Sequence, residues 1–230
     1  MSEELVGGLE ERARTESEGS RKIDVEDAKG DDLRKEDTLF KSTDSHTEAQ
    51  LNYRVRPDFL YCEGYLKAAR ILANYACNQP HDKDILIFPI AFLYRHHVEL
   101  ALKDLVRVAE DLRSSNAHAT GHHFLGTLWA ELKTVLENIG EAPSKSEADS
   151  ADAYIDQLER IDKKSETFRY ATTKGGQLHL QGVNSIDIRS LAESMERLAG
   201  YLGGIGARLD ILSDHKAEMM SYKEAFKGQS

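Results

Sequence analysis

From residue 57 onward, apolar positions recur every three or four residues in long runs, the spacing that keeps side chains on one face of a helix. The pattern predicts a first helix from Pro57 to about Asn78, with Phe59, Leu66, Ala69, Ala73 and Ala76 available for burial and Gln79-Pro80 as its stop. A second helix runs from about Asp84 or Pro89 to Ser114; it is apolar on more than one face and is the expected centre of the fold. Thr120-Gly121 opens a third, with the stripe Leu125, Leu128, Trp129, Leu132, Val135, Leu136 and Ile139. After Pro143 and a polar linker, Ser144–Ser150, a fourth helix turns Tyr154, Ile155, Leu158 and Ile161 inward. The period then changes. Phe168, Tyr170 and Thr172, then Leu178 and Leu180, alternate around Lys174-Gly175-Gly176, which predicts a small β-hairpin packed on helices. The last helix starts near Ser185 or Asp187 and carries the seam Ile188, Leu191, Met195, Leu198, Leu202, Ile205, Leu209, Leu212. Gly200, Gly203, Gly204 and Gly206 each weaken it by up to about 1 kcal/mol relative to alanine, a loss offset if another backbone approaches there.

One face of the second helix breaks its own rule. It reads Ile85, Phe88, Phe92, Arg95, Glu99, Leu102, Val106, so an arginine and a glutamate stand where apolar residues belong. A buried unpaired charge is very unfavourable, so the two must pair, be hydrated in a cleft, or take part in function. With Lys103 one turn further on, the ladder reads either as a polar cleft or as an internal ion pair that fixes packing. We expect Arg95 and Glu99 to be buried and in contact with each other or with Lys103 or Arg169.

Charge divides the chain unevenly. Residues 1–50 hold 15 acidic against 8 basic side chains, a net of −7 out of −10, with no sustained apolar period. They read as a disordered acidic tail, leaving 51–230 as one helical domain. Without a basic balance, no charge footprint announces nucleic acid, although a local basic cleft is compatible with it. Cys62 and Cys77 lie in one helix, roughly 22 Å apart along its axis, too far for a disulfide, which fits a reducing, cytoplasmic setting. No signal peptide and no apolar run near the ~20 residues of a membrane span is read, so no membrane association is expected.

The segments FLYRHHVELALKDL (Phe92–Leu105), GHHFLGTLW (Gly121–Trp129) and FRYATTKGG (Phe168–Gly176) resemble a group of uncharacterised prokaryotic helical proteins similar to the HEPN superfamily. The resemblance spans about Tyr53 to Leu212 and implies a compact helical bundle, often dimeric. It also implies a toxin or antiphage setting with a cognate antitoxin or defence partner, and, in active members, metal-independent cleavage of RNA. The signature of those members is an arginine, a polar neighbour, and a histidine four to six residues after that. Here Arg95 is followed by His96, but Glu99 and Lys103 occupy the next turns, and Ala171 stands where the Arg-Tyr segment would carry proline.

Two other pairs meet the spacing, Arg113 with His118 and Arg208 with His215; about two are expected by chance among 15 arginines and 9 histidines. Ser114-Ser115-Asn116 ends the helix between the first pair. Arg208 and His215 share a helix face roughly 10 Å apart, although Leu209, not a polar residue, follows Arg208. The catalytic candidates are thus Arg208, His215, Arg95 and Glu99. Candidates for RNA contact are Arg169, Tyr170, Lys103 and His122. Arg169 and Tyr170 would fall on opposite faces of a strand; His122 at a helix start reads as a cap or a base. The histidines His118, His122 and His123 match no zinc spacing, and no glycine-rich phosphate loop or cofactor motif is present.

The sequence therefore predicts an all-α helical bundle with a β-hairpin before the last helix. The expected function is that of a HEPN-like RNA-binding or RNA-cleaving protein, or of a non-catalytic interaction module on the same fold. Its long seam and glycines predict a homodimer through the final helix, with two Arg208–His215 faces around one groove.

Overall fold

A computed structural model describes residues 35, 38–42, 47–51, 57–79, 81–113 and 123–227. The chain divides into two units, 1–50 and 51–230. In the first, the described residues 38–42 and 47–50 are non-helical, and the expectation of a disordered tail falls almost wholly outside the described residues.

The second unit holds five helices among its described residues: α1 (Pro57–Asn78), α2 (Lys83–Arg113), α3 (Leu125–Asn138), α4 (Lys145–Ile161) and α5 (Ile188–Lys227). α2 is the hub and packs against α1, α3 and α5, while α4 lies on α3 and α1 on α5. The core follows the periodic apolar positions. Ile90, Tyr94, Val98, Leu102 and Val106 of α2 meet Leu66, Ala69 and Ala73 of α1, the α3 stripe with Trp129 and Leu132, and Met195, Leu198, Leu202, Ile205 and Leu209 of α5. Each such large apolar side chain contributes on the order of 1.5–3 kcal/mol on burial. Polar clamps fix the neighbours. Arg70 of α1 holds Glu196 of α5 through Nη2 at 2.6 Å, and Asp152 of α4 accepts from Trp129 Nε1 at 2.6 Å and Lys133 Nζ at 2.7 Å.

Several expectations are corrected. No β-strand occurs among the described residues, so the hairpin is absent. In its place, the Arg169 and Tyr170 amides both bond the Glu166 carbonyl, which curls Phe168–Tyr170 into a helical turn instead of an extended strand. Beyond it a tight loop closes on the single bridge Thr172–Leu178, with Gly176 at φ +79°. The alternation of Phe168, Tyr170 and Thr172 was too short to outweigh these local bonds. The predicted linker at Ser144–Ser150 is instead the start of α4. Ser144 caps it, accepting from Glu147 N at 3.3 Å, while Glu147 Oε2 accepts from Ser144 N at 2.9 Å. α2 runs through Pro89, and its seam is buried only from Arg95 onward; Ile85 and Phe88 are exposed, Phe92 is half-buried, and Phe59 of α1 is exposed. By length and composition alone α2 is apolar enough to cross a membrane, and 44% of its most apolar stretch is buried inside the structure. α5 continues well past the seam to Lys227.

Candidate functional site

The two charges in the α2 seam are among the most enclosed side chains described, Arg95 at 0% and Glu99 at 1% exposure. The i,i+4 spacing brings them together at 2.9 Å, Arg95 Nη1 donating to Glu99 Oε2. Arg95 then reaches backbone on two sides. Nε donates to the Asp162 carbonyl at 2.8 Å, and Nη2 to the carbonyls of His123 at 2.8 Å and Lys163 at 3.4 Å. The guanidinium therefore stitches the segment before α3 to the segment after α4. Asp162 is itself buried; its Oδ1 accepts from Glu166 N at 2.8 Å and Thr167 N at 3.1 Å, holding the turn that follows α4, and Oδ2 lies 3.8 Å from Arg95 Nε.

Glu99 Oε1 faces outward and collects two more donors, Lys103 Nζ at 2.8 Å and His123 Nδ1 at 2.6 Å. Burial alone would raise the Glu99 pKa, but the hydrogen bonds from Lys103, His123 and Arg95 overcome it and hold the carboxyl at about 2. An ionised carboxylate only accepts, so the His123 proton sits on Nδ1 and Nε2 is the atom left to exchange protons. The His123 side chain is 61% exposed and Lys103 about a quarter exposed, so the buried pair carries an accessible imidazole and ammonium at its mouth.

On the same face of α2, one and two turns back, His96 and Phe92 stack with rings 5.5 Å apart, and Tyr65 of α1 meets His96 edge-on at 4.5 Å. Burial, opposed in part by Glu99, lowers the His96 pKa. Arg169 lies over the rings of both Phe92 (5.6 Å) and Tyr170 (5.5 Å) and donates to the Ser165 carbonyl. Because this segment is a turn, Arg169 and Tyr170 stand together instead of on opposite faces, and both are exposed. A cationic and aromatic surface thus extends from His123 and Lys103 through His96 and Phe92 to Arg169 and Tyr170.

The remaining candidates lie elsewhere or outside view. Arg208 is exposed and faces Glu141 at 3.7 Å; His215 is exposed two turns further along α5. Arg113 pairs with Glu110 at 3.3 Å. His118 and His122 lie outside the described residues, and no group of three metal-ligating side chains occurs among the described ones. Sequence reasoning missed His123 and Asp162 as partners of the ladder: they lie 24 and 67 residues from Glu99 and Arg95, and no local spacing signals either. Comparison with family models, with curated proteins and with solved structures found no match.

Proposed function

We propose that this chain is a HEPN-like helical protein of a prokaryotic toxin or antiphage system that binds single-stranded RNA and cleaves it without a metal. The observation that carries the reading is the accessible His123–Lys103 pair, held on a buried Glu99 and continuous with the Phe92, His96, Arg169 and Tyr170 surface. Aromatic rings and a guanidinium in one run suit unstacked bases, and ammonium and imidazole suit the phosphate between them. In the proposed reaction the 2′-oxygen attacks phosphorus and the P–O5′ bond breaks. His123 Nε2 takes the 2′-hydroxyl proton, solvent supplies one to the leaving 5′-oxygen, and Lys103 faces the charge that develops on the phosphoryl oxygens. Arg95 is a positioning residue here. Its four hydrogen bonds go to protein groups, which moves the reacting role away from it and from the arginine-histidine spacing of the superfamily signature.

The same burial of Arg95 favours a second reading, a non-catalytic module in which the cluster only braces the helices. Purified protein with labelled single-stranded RNA in a chelator, beside His123→Ala and Lys103→Ala, separates the two. The proposal expects cleavage that drops about 10²–10⁴-fold in His123→Ala with the helical fold intact. Lys103→Ala should weaken RNA binding and lower its salt dependence by about one charge. RNA bound but left uncut supports the second reading, and no binding at low salt removes both RNA roles.

A further inference from the structure

Beside its buried seam, α5 carries a strip with almost no side-chain bulk: Ala199, Gly200, Gly203, Gly206 and Ala207. Together with residues of α1 and α2 they line a cavity of about 350 Å³, within the size range of small-molecule sites. Its walls are largely apolar, with Phe59 and Leu66 on α1 and Ala101, Leu105 and Val108 on α2. A Cβ at Gly206 would touch Leu105 Cδ2 at 3.4 Å, whereas one at Gly200 or Gly203 meets nothing within 4 Å. Glycine weakens a helix by up to about 1 kcal/mol relative to alanine, and at these two positions no close neighbour offsets the loss. What the two glycines leave is room.

His97 of α2 lines the same cavity and is only 4% exposed. The Cys62 carbonyl lies 3.0 Å from its Nδ1, and a carbonyl only accepts, so the ring proton sits on Nδ1. The Cys62 thiol, 3.2 Å from the same nitrogen, is free to donate to the His97 carbonyl at 3.8 Å. Nε2 is then a lone-pair acceptor, and it has no hydrogen-bond partner among the described residues. Burial lowers the His97 pKa, which keeps the ring neutral. A buried acceptor without a donor is unfavourable, so the cavity calls for a ligand that brings one. The charged residues around it set the sign of that ligand. Glu63, Asp104 and Asp210 line the cavity against Arg70 alone, and Arg70 is already held by Glu196 at 2.6–3.0 Å. Asp104 accepts from Arg107 at 2.5 Å, while the charge of Glu63 reaches His97 itself.

We propose that this groove binds a small organic ammonium compound with an apolar body. The ammonium donates to His97 Nε2 and faces Glu63, and the body lies over Gly200 and Gly203 between Phe59 and Leu105. His97, Ala101, Asp104 and Val108 share the face of α2 opposite Glu99 and Lys103, so the site is independent of the RNA reading.

An NMR titration of the full chain with three probes of nearly equal shape tests it: 2-phenylethylammonium, the neutral 2-phenylethanol and the anion phenylacetate. The ammonium is expected to saturate with a Kd on the order of 1 mM, the strength of a fragment-sized ligand, and to shift the His97 Nε2 resonance. The alcohol keeps a donor but lacks the charge and should bind about fivefold more weakly, the effect of one part-exposed ion pair. Phenylacetate should not bind. Glu63→Gln alters an exposed position and should bring the ammonium down to the level of the alcohol while leaving the alcohol unchanged. Gly203→Leu should keep the circular dichroism of the wild type, fill the groove and abolish binding of both. Absence of saturable ammonium binding overturns the inference. So does binding that Gly203→Leu leaves intact, or an alcohol or phenylacetate that binds as tightly as the ammonium.

Discussion

Arg95→Ala should lower the stability of the helical unit by about 3–5 kcal/mol, the range for removing one partner of a buried ion pair. For a unit of this size that corresponds to a fall in Tm of roughly 10 °C, measurable by calorimetry. The effect follows from what the guanidinium holds: the Glu99 carboxylate and the carbonyls of His123, Asp162 and Lys163 all lose a donor at once. Arg95→Lys should rescue little, because one ammonium cannot span partners that a planar fork reaches on three sides. Arg95→Met combined with Glu99→Gln should be more stable than Arg95→Met alone, since the second change removes the charge left behind. If Arg95→Ala melts within about 1 kcal/mol of wild type, the stitch between the α3 and α4 connections is not structural.

Acid should expose the other half of the pair. The Glu99 pKa lies near 2 in the folded chain, against an ordinary value of 4.5, so the unfolded chain takes up this proton first. The resulting stability is fully present above about pH 4.5 and disappears as pH falls through that value toward 2. The shift corresponds to about 3 kcal/mol. Urea melts between pH 7 and 2 should show this slope in the wild type. In Glu99→Gln it should be missing, with lower stability at neutral pH and curves that converge near pH 2. Parallel curves for the two proteins over the whole range would remove Glu99 as the group responsible.

The ladder Arg95–Glu99–Lys103 was legible in the sequence because its members lie on one helix at fixed spacing, and charge within an apolar seam demands a partner. The apolar stripes of α3 and α5 were legible for the same reason. What completes the cluster was not: His123 and the Asp162 carbonyl are brought in by the way two connections cross α2. Phe168–Tyr170 was misread because three alternating residues weigh less than the Glu166 carbonyl that two following amides share. The glycines of α5 were read as sites of close approach. Only Gly206 has a close neighbour, Leu105 Cδ2 at 3.4 Å from its would-be Cβ, while Gly200, Gly203 and Gly204 open onto empty space. The far end of α5 was hidden because Lys216 and Lys223 interrupt the apolar seam that marks the rest of the helix.

The Arg95 stitch also has a kinetic side. Its carbonyl partners lie 28, 67 and 68 residues away along the chain, so the guanidinium is satisfied only after both connections have docked on α2. Contacts between such distant residues form late, after shorter loops have closed. Bonds absent from the folding transition state slow unfolding without speeding folding. In stopped-flow experiments Arg95→Ala should therefore steepen the loss of the native state and leave the refolding rate nearly unchanged. The buried arginine then acts less as a foundation of the fold than as a bolt closed behind it, setting how long the assembled helices stay together once they have met.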